Sequence, residues 1–451
     1  MGPAVGGQDR LFYQFNLEDR VPPNHLLRRI DAVLDLSWLR SEIAPFYSHT
    51  GCPSIDPELM IRMLLVGYCY SVRSERRLCQ DVELNLAYRW FCRLGLEDRV
   101  PNHSTFSVNR HGRFRDGDVF RQIFDRIVRQ CMDAGLVKGE GFAVDASVIE
   151  ADASRFQRVE GSEVDWSEEQ QASRAVQEYI KALESENAPT NPGRKPKALS
   201  PSDPSAAWTS RGRNKVMFAY SLNYLIDMEN AVIIDVEATP TRISKEVEAT
   251  EAMIERTKER FDLKPDHLAG DVAYGTGKML GWLVERGIDP HVPVWDKSRR
   301  NDNTFSRADF IYDAERDVYT CPNGKTLKTT GRALSDNALR YLASKHDCDV
   351  CPMKPKCCPR TPSRKVPRDV NEAARDHTRS LSGSEPYNQS ARDRKKIERL
   401  FGEAKRNMAM TRLRLRGLTG ASDEFLLIAT VQNLKRLVKL ASRPPPKPIT
   451  A

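Results

Sequence analysis

Three acids of this 451-residue sequence, Asp145, Asp271 and Glu398, have the types and settings that metal-dependent chemistry needs. Asp145 sits at the centre of GEGFAVDASVIEADASR, a strand-like run of small and apolar residues from Gly139 to Arg155. A carboxylate there is costly to bury unless a basic side chain or a bound cation opposes it. Asp271 closes AGD at the end of a second strand-like run, just before VAYGTG. Acids at strand ends that converge on one edge of a sheet present hard oxygen ligands to Mg²⁺. A third ligand is available in the basic segment RDRKKIERLFGEAKRNMAMTRLRLR, Arg392 to Arg416, which offers Glu398 or Glu403. Arg394, Glu398 and Lys405 share one helical face, whereas Glu403 has Arg399 four residues back and reads as an ordinary surface pair. Glu398 is the better third ligand. Each acid also has a plainer reading: Asp145 as a turn acid, Asp271 as a helix cap and Glu398 as a partner of Arg394.

A second set of residues is the cysteines. Cys321, Cys348, Cys351 and Cys357 (or its neighbour Cys358) form two knuckle-like groups at close to structural zinc spacing. Three readings stay open for them: a Zn²⁺ site, buried reduced thiols and a redox role. The other five, Cys52, Cys69, Cys79, Cys92 and Cys131, are scattered through mostly apolar helical text and read as reduced core residues.

The elements that must position these groups follow from periodicity. Residues 24–135 are mostly helical text, with apolar positions at three and four spacing in PELMIRMLLVGYCYSV and FRQIFDRIVRQCMDAGL. SERRLCQDVELNLAYRWFCRLGL gives one helix ended by Gly95, and Ser104 or Thr105 can cap the next. Arg73, Arg76, Arg77, Arg110, Arg113 and Arg115 lie among these helices, which suits a helix-turn-helix style DNA-docking module; a bundle that only scaffolds is the plainer reading. From Phe142 the period shifts towards two. FAVDASVIEA, a hairpin turning at Glu229 and Asn230, and HLAGDVAYGT read as strands. Asp227 is explained by the hairpin turn. Residues 160–213 read as a flexible insertion with one helix around Glu168–Leu183, and 315–362 as a cysteine-rich insertion. KMLGWLVERG is a helix closed by Gly287, FLLIATVQNLKRLVKLA an amphipathic helix, and residues 442–451 a disordered tail.

Composition sets the outer bounds. Net charge is +8, 40% of residues are hydrophobic, the isoelectric point is near 8.9 and mean hydropathy is −0.56. The charge suits a polyanionic partner, and no run approaches the roughly 18 apolar residues of a membrane span. The opening MGPAVGGQDRLFYQF lacks the charged start and apolar core of a signal peptide, so a cytoplasmic protein is expected.

In this order the residues resemble the insertion-sequence DDE transposases whose N-terminal module is of the InsH type. The resemblance is carried by PPNHLLRRIDAVLDLSWL, GCPSIDPELMIRMLL, RSERRLCQDVELNLAYRWFCRLGLEDRVPNHSTFSVNRHGRF, GLVKGEGFAVDASVIEADAS, GDVAYGTG and RKKIERLFGEAK, which span nearly the whole chain. It implies a mixed α/β (α+β) architecture: a helical DNA-binding domain over 1–135, then an RNase H-like catalytic domain with insertions over 136–441. It places the acidic triad on Asp145, Asp271 and Glu398, holding two Mg²⁺ or Mn²⁺ ions. The family's pattern of Tyr, two residues, Arg, three residues, Glu, six residues and Lys is met by Arg394, Glu398 and Lys405. It fails at the tyrosine, because position 391 is Ala and the nearest tyrosine is Tyr387.

The implied activity is binding of terminal inverted repeats followed by metal-dependent cleavage and strand transfer of double-stranded DNA, with a homodimer bringing two ends together. Arg394 and Lys405, with Arg110 and Arg113 of the N-terminal helices, are the expected DNA contacts. A DNA-binding regulator descended from such an enzyme and a plain RNase H-like nuclease are the rival readings; an altered triad acid would point to the regulator, and none is altered here.

Overall fold

The computed structural model describes residues 15–47, 55–160, 173–186, 198–211, 215–296, 303–333 and 337–440. Cys52, the 442–451 tail and parts of the 160–213 insertion lie outside the described residues. Among those described, the N-terminal part is helical up to Asp133 and strands begin at Gly141.

The helix Pro57–Cys69 is the centre of the N-terminal part. Asp56 caps it by accepting from the Glu58 N–H, and Pro57 supplies a preset first turn. It is buried from Met60 to Cys69 without a break. Even Arg62 is inside, where it donates to Asp31, to Glu58 and to the Phe91 carbonyl. The single helix expected from Ser74 to Gly95 is instead two, Glu75–Leu84 and Leu86–Phe91. Asn85 divides them: its side chain accepts from the Ala87 and Tyr88 N–H groups and so caps the second helix. The next helix, His103–His111, is capped two positions earlier than Ser104, by Asn102 rather than by Ser104 or Thr105.

The main sheet is built on β1 (Gly141–Glu150). On one side β1 pairs antiparallel with β3 (Lys215–Asp227). The far edge of β3 is shared end to end by β2 (Ala207–Arg211) and β4 (Ile233–Pro240), both antiparallel. On the other side β1 pairs parallel with β5 (His267–Ala269), which pairs parallel with β6 (Asp289–His291). Helices Ile243–Phe261 and Gly277–Glu285 make the crossovers that parallel neighbours require. Three antiparallel strands are thus joined through β1 to two parallel ones. Asp227 ends β3 as a structural acid, accepting from the Lys138, Gly139 and Glu229 N–H groups.

The helix Gly417–Leu440 departs from its amphipathic reading. Every residue from Phe425 to Asn433 is buried, because the helix packs on the N-terminal helices Pro57–Cys69 and Val119–Asp133 and also on β4. Its buried polar residues all have partners. Asn433 both accepts from and donates to the Ile233 backbone, Gln432 accepts from Tyr224 and donates to the Leu400 carbonyl, and Glu424 is paired with Arg73. One continuous hydrophobic core therefore runs from Leu27 through the main sheet to Val438. Part of the expected flexible insertion is also folded. Helix Arg174–Glu186 docks on Gly417–Leu440, where Glu178 meets Arg115 and Thr419.

A second sheet, antiparallel throughout, contains β7 (Ile311–Asp313), β8 (Val318–Thr320), β9 (Thr326–Thr329), β10 (Ala338–Leu342) and β11 (Lys365–Asp369), paired in chain order. It has its own small core.

Candidate active site

Register alone brings the first two acids together. Ala143 of β1 is level with Ala269 of β5, and Asp145 and Asp271 each follow two residues later. Asp145, still within β1, therefore neighbours Asp271, two residues past the end of β5. Asp145 points to the same side as Ala143, in keeping with the two-residue period of a strand. Asp271 then starts a short helical turn, Val272–Tyr274, and its Oδ1 accepts from the Ala273 N–H at 2.8 Å. The capping role is thus real, and it fixes the carboxylate at the mouth of β5. Gly275 is needed just beyond: a Cβ there would stand 2.0 Å from the Pro293 carbonyl oxygen, against which this loop is folded.

The third acid comes from the helix Lys395–Asn407. Ile397, Leu400, Phe401 and Ala404 form its buried stripe, and Phe401 stacks on Tyr224 of β3 with ring centroids 5.0 Å apart. That packing lays the helix along β1 and leaves Glu398 at the open rim, with its side chain 59% exposed. Arg394 caps the helix and reaches across the gap. Its Nη1 is 3.1 Å from Asp145 Oδ2 and its Nη2 is 3.8 Å from Glu398 Oε1. The mid-strand acid is therefore opposed by a basic side chain. Lys405, further along the same face, donates to the Ser147 hydroxyl on β1 at 2.7 Å.

Burial pushes the Asp145 carboxyl up to about 6, and the charges of Asp271 and Glu398 push the same way, against the Ala146 N–H and Arg394. The three acids thus lie within electrostatic reach of one another. Among the described residues, however, no three or more His, Cys, Asp and Glu side chains already stand close enough to hold a metal ion. At the triad the guanidinium of Arg394 pairs with both Asp145 and Glu398. The donor set itself fits a hard divalent cation: it is all carboxylate oxygen, and its members disfavour one another's charge.

Two further residues belong to this neighbourhood. Ser147, unremarked in the sequence, stands two after Asp145 on the same strand face, the one spacing that could have found it. Tyr274 was not signalled. It is buried beside Asp145 and Asp271, and its hydroxyl has no hydrogen-bond partner. Tyr387 lies in the helix Glu385–Asp393, with its ring 5.5 Å from that of His291 on β6, while Ala391 one turn later is exposed.

The N-terminal arginines are placed differently from one another. Arg110 is only 6% exposed and pairs with Glu75 at 2.7 Å, so it ties two helices together and does not present a charge to a phosphate. The expectation of a DNA contact there is corrected by burial. Arg113 lies over the Tyr47 ring at 4.3 Å and donates to Asn109. Arg76 and Arg77 are both exposed, the Arg77 side chain to 72%, and Arg77 with Arg412 and Arg414 lines an open groove beside Asp152.

The cysteines of the second sheet converge from three turns. Cys321, Cys348, Cys351, Cys357 and Cys358 line one small cavity. All are free thiols, as are Cys69, Cys79, Cys92 and Cys131, of which only Cys79 is not buried.

Two family models match the chain. Residues 15–112 match the one described as "Transposase domain (DUF772)", and residues 320–438 match the one described as "Transposase DDE domain". The second match takes in the cysteine-bearing sheet and the helix that carries Arg394, Glu398 and Lys405. Among solved structures, a piggyBac transposase synaptic complex with hairpin DNA, determined by cryo-EM, is similar at 10% identity. The similarity covers 92% of this chain and 78% of that one, with a TM-score of 0.33. No helix among the described residues is long and apolar enough to cross a membrane.

Proposed function

We propose, from the matches to a transposase domain over residues 15–112 and a transposase DDE domain over residues 320–438, that the chain is a DDE transposase that binds the terminal inverted repeats of an insertion sequence and catalyses metal-dependent DNA cleavage and strand transfer. The observation that supports this most is the level placement of Asp145 and Asp271 on adjacent parallel strands, with the helix bearing Glu398 laid along β1. In this reading Asp145, Asp271 and Glu398 would hold two Mg²⁺ or Mn²⁺ ions, which would supply charge neutralisation at the attacking and leaving oxygens of a phosphodiester.

The chain's own residues then divide the remaining work. Asp271 is held by its cap to the Ala273 N–H, so its free oxygen keeps a fixed direction. Arg394 moves from Asp145 to a phosphate beside the scissile bond, a planar fork suited to both partners. Lys405, steadied by Ser147, grips the next phosphate as a point charge. Tyr274 keeps the floor of the site dry beneath the acids. The partner is double-stranded DNA, both transposon end and target, and pairing of two ends calls for a homodimer.

Asp145→Asn tests the assignment with the element's own terminal repeats as substrate. It should abolish end cleavage in Mg²⁺ while DNA binding stays near that of the parent protein. Undiminished cleavage by this variant would overturn the triad. Cleavage that is lost for the triad variant, but in the parent shows no preference for the repeats, would favour the plain nuclease.

A further inference from the structure

We propose that Cys321, Cys348, Cys351 and Cys358 bind one structural Zn²⁺ that staples the second sheet, a site separate from the triad. The sheet's need for a staple comes first. Its strands run three to five residues, and its buried core comprises eight described residues, of which three are Cys348, Cys357 and Cys358. So small an apolar core falls short of what ordering five strands costs, and modules of this kind are commonly completed by a metal or disulfides. No disulfide is formed among the described cysteines.

The thiols arrive as a zinc site requires, from separate turns that the chain could not otherwise hold in register. Cys321 heads the tight β8–β9 turn, where its carbonyl accepts from Gly324 at 2.8 Å and its sulfur accepts from the Lys325 N–H at 3.3 Å. That amide fixes the direction of the sulfur. Cys348 ends a short helix, Lys345–Asp349, and Cys351 follows in the turn, its N–H bonded to the Cys348 carbonyl. Cys358 follows the helix Lys354–Cys357, and its thiol contacts those of both Cys348 and Cys357. Cys358, the residue just past that helix, is taken in place of Cys357 as the fourth ligand.

The surroundings match the charge. Four thiolates around Zn²⁺ carry two net negative charges, and the cavity is lined by Lys325, Lys354 and Arg364 against the single acid Asp347. The five thiols share the cavity without yet standing at ligand spacing. Cys321 and Cys351, the two that are only half-buried, are the ones with room to close to the Zn–S distance of about 2.3 Å.

The test uses the full-length protein purified without chelator. Elemental analysis should find about one zinc per chain, and native mass spectrometry with alkylation should show Cys321, Cys348, Cys351 and Cys358 protected until a chelator is added. Exchange with Co²⁺ should give thiolate-to-metal charge transfer together with the intense visible bands of a tetrahedral site. Cys357→Ser should keep the metal and Cys358→Ser should lose it; the reverse pattern overturns this ligand set. Less than about half an equivalent of zinc with all five thiols freely alkylated, or a disulfide mapped within the cluster, overturns the site altogether. Asp145→Asn should retain the zinc in full, so failure of the triad assignment and failure of this one are read separately.

Discussion

Arg394 holds Asp145 and Glu398 apart while pairing with both, at 3.1 Å and 3.8 Å. A guanidinium can do this because its donors lie in a rigid plane, and one fork reaches two carboxylates. It also means that Arg394 and a divalent cation compete for the same oxygens. Arg394→Ala should therefore bind Mn²⁺ several-fold to about tenfold more tightly in the absence of DNA, yet cleave transposon ends at least about tenfold more slowly. Isothermal titration and single-turnover cleavage measure the two effects. Weaker Mn²⁺ binding by the variant would mean that the arginine organises the acids and does not oppose the ion.

Lys405 should act on DNA through charge. Replacing it with Met keeps the stem and removes the ammonium, so end binding should weaken for all sequences alike. The slope of log affinity against log salt should fall by about one. Ser147→Ala, which removes only the hydroxyl that Lys405 donates to, should weaken binding less and leave the salt slope unchanged. Filter binding over a salt series distinguishes the two variants.

Arg110 should prove structural. Arg110→Ala strands the Glu75 carboxylate beside a buried gap and should cost about 2–4 kcal/mol of stability in urea titration. DNA affinity per folded molecule should not change. A variant that folds as well as the parent and binds DNA poorly would restore Arg110 to the interface.

Asp203 gives the fold a pH dependence. It is fully buried, accepting from the Tyr220 hydroxyl at 2.5 Å and from the Gly417 N–H at 3.2 Å, and burial pushes its carboxyl up to about 6. A carboxyl raised on folding favours the native state most below its unfolded value, and the advantage is lost as pH climbs between roughly 4 and 6. Asp203→Asn keeps a neutral group at every pH. It should match the parent near pH 4 and exceed it by up to about 2 kcal/mol near pH 7.5. Equal stabilities at both values would show that the acid is not raised.

What could be read beforehand was local. The strand around Asp145, the β3–β4 hairpin, the helix closed by Gly287 and the shared face of Arg394, Glu398 and Lys405 all announce themselves through period and turn residues. Three things did not. Asn85 divides a helix by a side-chain cap whose competitor, an unbroken apolar stripe, looked equally good. Arg110 resembles any surface arginine until Glu75 is brought against it. The helix Gly417–Leu440 looked one-sided because Gln432 and Asn433 are polar, although both are spent on buried backbone and Tyr224. The register that sets Asp145 level with Asp271 has no local signature at all, since it depends on two crossovers. The short strands β7–β11 are below the length at which alternation can be counted.

Because Gly417–Leu440 is gripped on one flank by the N-terminal helices and on the other by β4, the two halves of the chain behave as the jaws of a fixed calliper. A duplex seated on the first half would meet Asp145 at a set offset, counted in base pairs by the protein's own dimensions and not by a flexible tether. Lengthening or shortening that offset would take a change in the rod itself, a turn inserted or removed, and the cut would shift along the DNA by a matching step.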